Sequence, residues 1–84
     1  MVSTVVDYRV IIMEPYSFQE VTQAIEALMQ YQSVVMNLSK MEPEQAQRAV
    51  DFVTGATYAL AGNQEQLGEG IFIFMPGNTY LEVQ

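Results

Sequence analysis

Two short apolar runs flank a segment long enough for one helix, and this order restricts the fold more than any other feature of the sequence. The first run covers residues 5–13 and becomes continuously apolar toward its end, and the second covers residues 33–38. Continuous apolar runs of this length are typical of strands inside a sheet. A strand, one helix and a second strand predict two parallel strands joined by a right-handed crossover.

Two amphipathic helices are predicted. Residues 17–20, "SFQE", have the pattern of a capping box, and the apolar residues that follow are spaced by three and four. The core-facing set is Phe18, Val21, Ile25, Leu28 and Met29, which predicts a helix over residues 18–30. Pro43 suits the first turn of a second helix, which extends to about Ala61 and stops at Gly62 and Asn63.

The last third of the chain predicts further strands. Residues 65–70 form a short strand or turn, and "IFIFM" at residues 71–75 forms a buried strand. Residues 79–83 are expected to form a final strand that pairs with "IFIFM" as a hairpin. The 84 residues therefore make one domain, residues 1–84, with the fold class of a two-layer α/β sandwich. We expect two helices packed on one mixed sheet of about five short strands.

Composition excludes several functional classes. The net charge is −7, and the basic residues Arg9, Lys40 and Arg48 are scattered, whereas nucleic-acid binding needs a basic cluster. The chain has no cysteine and no histidine, so we expect no metal, no cofactor and no enzymatic activity. No apolar run is long enough to span a bilayer and no secretory leader is visible, so a cytoplasmic location is expected. Because a core this small is thin, burial against a partner in a dimer is expected.

The second helix carries more apolar surface than its own sheet needs. Around Val53, a set of small and apolar residues covers the sheet: Ala46, Ala49, Val50, Ala56, Thr57 and Leu60. Phe52, Gly55 and Ala59 remain on one side, together with Arg48. One interpretation is a helix–helix contact between chains, in which Gly55 permits close approach. The other is that Phe52 packs under a loop of its own domain and Gly55 makes room for a neighbouring side chain.

Residues 34–76 contain an ordered set of positions: Asn37-Leu38, Ala46, Arg48, Ala49-Val50, Asp51-Phe52, Gly55, Tyr58-Ala59, Gly62, Gly68, Ile71-Phe72 and Pro76. With these matches the segment resembles the core of the SepF family, bacterial cell-division proteins that bind the tubulin-like FtsZ. The similarity extends from about residue 10 to residue 83. The ordered set of matches is specific, although no single dipeptide in it is.

The resemblance implies an α/β sandwich that works as a homodimer and assembles into polymers. It implies binding of the C-terminal peptide of FtsZ near the second helix, with Gln47, Arg48 and Phe52 as candidate binding residues. Self-association is implied at Phe52, Gly55 and Ala59. It also implies tethering of the division ring and septum formation at the inner face of the membrane.

Two departures from the family pattern are visible. Family members begin with an amphipathic membrane-targeting helix and a linker, and neither is present in this sequence, which is therefore expected to be either an excised core domain or a shortened form. Gln47 stands where members often carry lysine, so apolar contacts are expected to contribute more than charge to peptide binding. The alternative function is a small regulatory α/β dimer that binds an amino acid or a nucleotide between its chains. Such a sensor needs a pocket with converging polar groups.

Overall fold

The computed structural model describes residues 10–77 of the chain. They form β1 (Val10–Met13), α1 (Phe18–Met29), β2 (Ser33–Asn37), α2 (Pro43–Ala59), β3 (Asn63–Gly68) and β4 (Ile71–Met75). Both helices begin at the residues that the sequence predicts. The first part of the predicted strand 5–13 and the whole predicted strand 79–83 lie outside the described residues.

The described strands form one four-stranded mixed sheet in the order β1-β2-β4-β3. β1 and β2 are parallel, with Ile11 opposite Val34, and α1 makes the crossover between them, as predicted. β4 is antiparallel to both of its neighbours, with Ile73 opposite Val35 on one side and Glu65 on the other. The two-layer α/β class is therefore confirmed.

The predicted hairpin between residues 71–75 and 79–83 is wrong, because β4 already has a hydrogen-bonded strand on each side. The hairpin that the structure contains joins β3 to β4, and Gly70 adopts a positive φ of 74° in its turn. The Pro76-Gly77 pair does follow β4, as expected of a strand end. A turn signal of this kind marks where a strand stops, but it does not reveal which sheet edges are open.

Both helices pack on the same face of the sheet. The core cluster comprises Val21, Ala24, Ala27, Leu28, Val34, Met36, Leu38, Met41, Ala49, Val53 and Phe74. The predicted core side of α2 is confirmed, since Ala49, Val53 and Thr57 are buried on it. Met29 was expected in the core but is 63% exposed. The buried side of α1 is centred on Ala24 and Leu28, and Met29 projects about 100° away from Leu28.

The second helix, α2, ends at Ala59, slightly before the predicted end at about Ala61 and the predicted stop at Gly62 and Asn63. The C-cap of α2 is Leu60, and the next residue, Ala61, adopts the left-handed conformation with φ 55°. The Gly62 amide then donates to the Thr57 carbonyl at 2.8 Å, and the Ala61 amide donates to the Tyr58 carbonyl at 2.9 Å. This is the paired hydrogen-bond pattern of a Schellman motif, in which the left-handed position normally carries glycine. Here that position lies one residue before Gly62.

Candidate partner-binding surface

The helix stripe, which we define as Phe52, Gly55 and Ala59, lies on an exposed side of α2. Phe52 is 44% exposed although it is a large aromatic residue. A Cβ built on Gly55 has no neighbouring atom within 4 Å outside the helix backbone. Gly55 therefore makes room for no side chain of the described part of the chain.

Phe52 is not isolated from its own domain. Its ring lies 5.3 Å from the ring of Phe18, centroid to centroid, at an interplanar angle of 40°. The Arg48 guanidinium carbon lies 5.1 Å from the Phe18 ring centroid. We call Phe18, Arg48 and Phe52 the aromatic cluster. It forms because α1 and α2 lie side by side, so that the first turn of α1 reaches the second and third turns of α2.

The structure separates the three residues predicted to bind the peptide. Arg48 and Phe52 come together through Phe18, whereas Gln47 projects about 140° around the helix from Phe52. The Gln47 side-chain amide donates to the Asp51 carboxylate at 3.0 Å, one turn further along α2. Gln47 and Phe52 therefore belong to two different surfaces of the same helix.

Gln47 faces a groove between the first half of α2 and the β3–β4 turn, which we call the loop groove. It consists of two adjoining depressions with volumes of about 380 and 470 Å³. Its apolar and glycine lining is Leu38, Pro43, Ala46, Val50, Gly70 and Phe72. Gln47 and Glu69 contribute polar groups to it. This arrangement suits an apolar segment better than a small polar ligand, because few polar groups converge.

Two loops at the carboxyl ends of β1 and β2 are linked by hydrogen bonds. The Asn37 side-chain amide donates to the Glu14 carboxylate at 3.3 Å, and its carbonyl oxygen accepts from the Ser39 amide at 3.0 Å. These bonds hold the β2–α2 loop, in which the Lys40 ammonium lies 5.7 Å from the Tyr16 ring centroid. The dipeptide of Asn37 and Leu38 that the family pattern contains is therefore a structural element that positions this loop.

Sequence reasoning missed Phe18, Tyr16 and Lys40 as parts of this surface. Phe18 was expected only as a core residue, but its ring also joins the aromatic cluster. Tyr16 and Lys40 are distant in sequence and meet only because the β1–α1 and β2–α2 loops emerge at the same end of a parallel strand pair. No local pattern around either residue could have predicted their contact.

Within residues 10–77, no group of three or more His, Cys, Asp or Glu side chains is arranged to hold a metal ion. None of the described helices has the length and apolar character needed to cross a bilayer. The described buried side-chain nitrogen and oxygen atoms all have hydrogen-bond partners. The candidate binding groups of the described residues therefore lie on the surface, in the aromatic cluster and the loop groove.

Comparison with known proteins gives consistent matches. The profile of the family described as "Cell division protein SepF" matches residues 10–81. The cell division protein SepF of Cyanothece sp. is 57% identical over 75 residues, which are 89% of this chain and 36% of that protein. The SepF protein of Synechococcus elongatus is 53% identical over 75 residues, which are 89% of this chain and 39% of that protein. The chain thus spans less than two fifths of the length of these relatives.

A solved structure extends the match to the fold. The SepF-like protein from Archaeoglobus fulgidus superposes with a TM-score of 0.80 and covers 88% of this chain and 92% of that chain. The two sequences are 16% identical, so this likeness shows a shared fold alone. The family profile covers most of the chain, and the two curated relatives are more than half identical to it over the aligned residues. The chain therefore belongs to the SepF family of cell-division proteins.

Proposed function

We propose that this chain is the assembling core of a non-enzymatic cell-division adaptor that binds the C-terminal peptide of FtsZ. The observation that carries the proposal is the aromatic cluster, in which Phe52 stays 44% exposed and the exposed residue Arg48 lies one turn before it on α2. Exposed aromatic and arginine side chains are the residue types that contribute most to protein–protein binding. The family assignment supports a role in cell division.

In this proposal the peptide lies along the α1–α2 junction. An apolar side chain of the peptide packs on the exposed part of the Phe52 ring, against Phe18. The Arg48 guanidinium, already held over the Phe18 ring, donates hydrogen bonds to a peptide carbonyl or carboxylate. Gln47 joins the same site only if the peptide crosses α2 over Asp51, because it projects to the other side of the helix.

Self-association is proposed at the helix stripe, through a second copy of the chain. A helix can approach the stripe closely at Gly55, where no side chain intervenes. A second apolar surface lies in the other layer, where Val10 and Ile12 of β1 are 53% and 74% exposed. Ile11 and Met13, which alternate with them, pack toward the core. Two self-associating surfaces in different layers of one molecule support open polymers as well as closed dimers.

The site of action that we propose is the division site, at the inner face of the membrane, where a polymer of this core would support the FtsZ ring during septum formation. The chain corresponds to only a part of its curated relatives, so tethering of the ring to a membrane is proposed for the whole protein. The aromatic cluster and helix stripe would supply the binding and assembly contacts within it.

Titration with the FtsZ C-terminal peptide tests the proposal. Calorimetry or fluorescence anisotropy should show saturable binding, and Phe52→Ala should weaken it by about 30-fold, since truncation of an aromatic anchor costs about 2 kcal/mol or more. Asp51→Ala is the matched control on the neighbouring residue and should change affinity by less than about 2-fold. Equal losses from both substitutions would contradict peptide binding at the aromatic cluster.

The alternative function, a sensor of small ligands, has its own candidate site in the loop groove. Its volume is adequate for a small metabolite, but few polar side chains line it. Among the described residues, Gln47 and Glu69 line the depression of about 380 Å³, and Ser39 and Glu69 line the depression of about 470 Å³. Titration with a panel of amino acids and nucleotides separates the two functions. Saturable binding of one metabolite, together with no binding of the FtsZ peptide, would favour the sensor.

A further inference from the structure

Both basic residues in the described part of the chain are held over aromatic rings. The Lys40 ammonium lies 5.7 Å from the Tyr16 ring centroid, and the Arg48 guanidinium carbon lies 5.1 Å from the Phe18 ring centroid. Tyr16 and Phe18 are two residues apart at the start of α1, so their α-carbons are separated by at most about 7 Å. The two cation–ring pairs therefore originate from one short segment of backbone.

Neither cation is neutralised by a carboxylate of residues 10–77. This is unexpected in a chain with ten acidic and three basic residues, where ion pairs are easily formed. The Glu20 carboxylate, which is close in sequence to Tyr16 and Phe18, instead accepts hydrogen bonds from the amides of Tyr16 at 2.9 Å and Ser17 at 3.1 Å. An aromatic ring holds a cation in place through its quadrupole, but it leaves the N–H donors of that cation free.

We infer that Lys40, supported by Tyr16, is a second anchoring point for the peptide and binds a carboxylate of it while Arg48 and Phe52 bind its remainder. This inference rests on the proposed function and specifies the partner chemistry: an apolar peptide segment that also carries acidic groups. Charge complementarity supports this occupant, because Lys40 and Arg48 both lie on this surface and no carboxylate of residues 10–77 neutralises them. Tyr16 is 65% exposed, so its ring and the cation above it are accessible to a partner.

The site is therefore an elongated surface rather than a single contact. It begins at the β1–α1 and β2–α2 loops, where Asn37 fixes the backbone of the loop that carries Lys40. It continues between the helices at Phe18 and Arg48 and ends at Phe52. A peptide bound along it in an extended conformation would place acidic side chains or its terminal carboxylate near the loops.

The test is a double-mutant cycle between Lys40 and the carboxylates of the FtsZ C-terminal peptide. Affinities are measured for the wild type, Lys40→Gln, Lys40→Glu and Lys40→Arg, each with the native peptide and with a peptide whose carboxylates are replaced by amides. Gln30→Glu is the matched control, since it changes the net charge as Lys40→Gln does, but at the C-terminal end of α1, about 18 Å along the helix from Phe18. Circular dichroism checks that each variant is folded.

Lys40→Gln should weaken binding of the native peptide by about three- to five-fold at low salt, and Lys40→Glu by about ten-fold or more. Lys40→Arg should retain the affinity, and Gln30→Glu should leave it within two-fold. With the amide peptide these differences should disappear, and salt should weaken binding of the native peptide more than binding of the amide peptide. Tyr16→Leu should reduce the coupling between Lys40 and the carboxylates.

The possible outcomes separate this inference from the function on which it rests. If the native peptide binds and Phe52→Ala weakens it, but Lys40→Glu has no effect, the inference is overturned and the proposed function stands. Equal losses with the native and the amide peptide would also overturn it, because Lys40 would then act without a carboxylate. If the wild type does not bind the peptide at all, both the function and the inference are rejected.

Discussion

Gly55 and Gly62 differ in how much space surrounds them. Substitutions at these two residues can therefore test the stability of the chain and its assembly separately. A Cβ at Gly55 would point into open space, whereas a Cβ at Gly62 would overlap the carbonyl oxygen of Met75. Gly55 lies inside α2, where glycine is a poor helix former. The sequence pattern predicted the position of Gly55 on the helix but could not reveal how close β4 comes to Gly62.

We expect Gly55→Ala to raise the free energy of unfolding by about 0.5–1 kcal/mol, because alanine favours the helix and meets no neighbour. Gly62→Ala should lower it by about 1–3 kcal/mol, because the backbone of β4 must move. Urea denaturation followed by circular dichroism, at a protein concentration below that of assembly, measures both. A loss of stability in Gly55→Ala would show that α2 is covered on this side.

Gly55→Lys should leave the fold intact and abolish higher assembly. The lysine side chain has space within the chain, but it would prevent close approach of a second helix to the helix stripe. Analytical ultracentrifugation and light scattering measure the effect, with Gln23→Lys on an exposed position of α1 as the control for added charge. Unchanged assembly in Gly55→Lys would place the contact between chains elsewhere.

At the level of secondary-structure elements, the two helices end in the same way. α1 and α2 both end with a left-handed residue that is not glycine, Tyr31 with φ 63° and Ala61 with φ 55°. The Gln32 amide donates to the Ala27 carbonyl at 3.0 Å after α1, and the Gly62 amide donates to the Thr57 carbonyl at 2.8 Å after α2. A side chain at the left-handed position costs about 1 kcal/mol. This conformational free-energy cost is therefore present at both helix ends.

Ala61→Gly is therefore expected to raise the free energy of unfolding by about 0.5–1 kcal/mol. The same chemical change at Ala59, inside α2, should lower it by about 1 kcal/mol, because glycine disfavours the helical conformation. Thermal denaturation of both variants measures the pair of shifts. Shifts of the same sign would contradict the left-handed conformation of Ala61.

Hydrogen bonds between neighbouring residues also determine where α1 begins. Ser17 is the N-cap residue, and the Glu20 carboxylate accepts from the amides of Tyr16 and Ser17, as the sequence predicts for a capping box. Glu20→Ala should lower the free energy of unfolding by about 1 kcal/mol, since these amides lose their acceptor. Glu26→Ala, on an exposed part of the same helix, is the control and should change stability by less than about 0.5 kcal/mol. Chemical denaturation measures the free energy of unfolding of both variants.

For the whole molecule, two apolar surfaces lie in different layers, with the helix stripe on α2 and Val10 and Ile12 on β1. Ile12→Glu should reduce self-association, because the carboxylate would lose its hydration in any contact made by this face of the sheet. The double variant of Ile12→Glu and Gly55→Lys should be monomeric. The single variant Ile12→Glu should retain the contact through the helix stripe, and Gly55→Lys should retain the contact through β1. Sedimentation equilibrium distinguishes these states. A polymer formed by the double variant would exclude both surfaces as interfaces.

Much of the architecture followed from the sequence. The starts of both helices, the parallel β1–β2 pair and the exposed position of Gly55 are consequences of local periodicity, capping residues and chain handedness. These signals act over a few residues, so they can be recognised without knowledge of the rest of the chain. The same holds for the core side of α2 around Val53, which the structure buries as predicted.

Only the tertiary structure decided the neighbours of each element. It placed β4 between β2 and β3 and left Met29 exposed. It also brought Lys40 to Tyr16 and Phe18 to Arg48. Strand order and contacts between distant residues depend on which strand edges and helix faces remain free once the elements pack. The arrangement that buries the most apolar surface in total is the stable one, and a local sequence pattern does not contain this information.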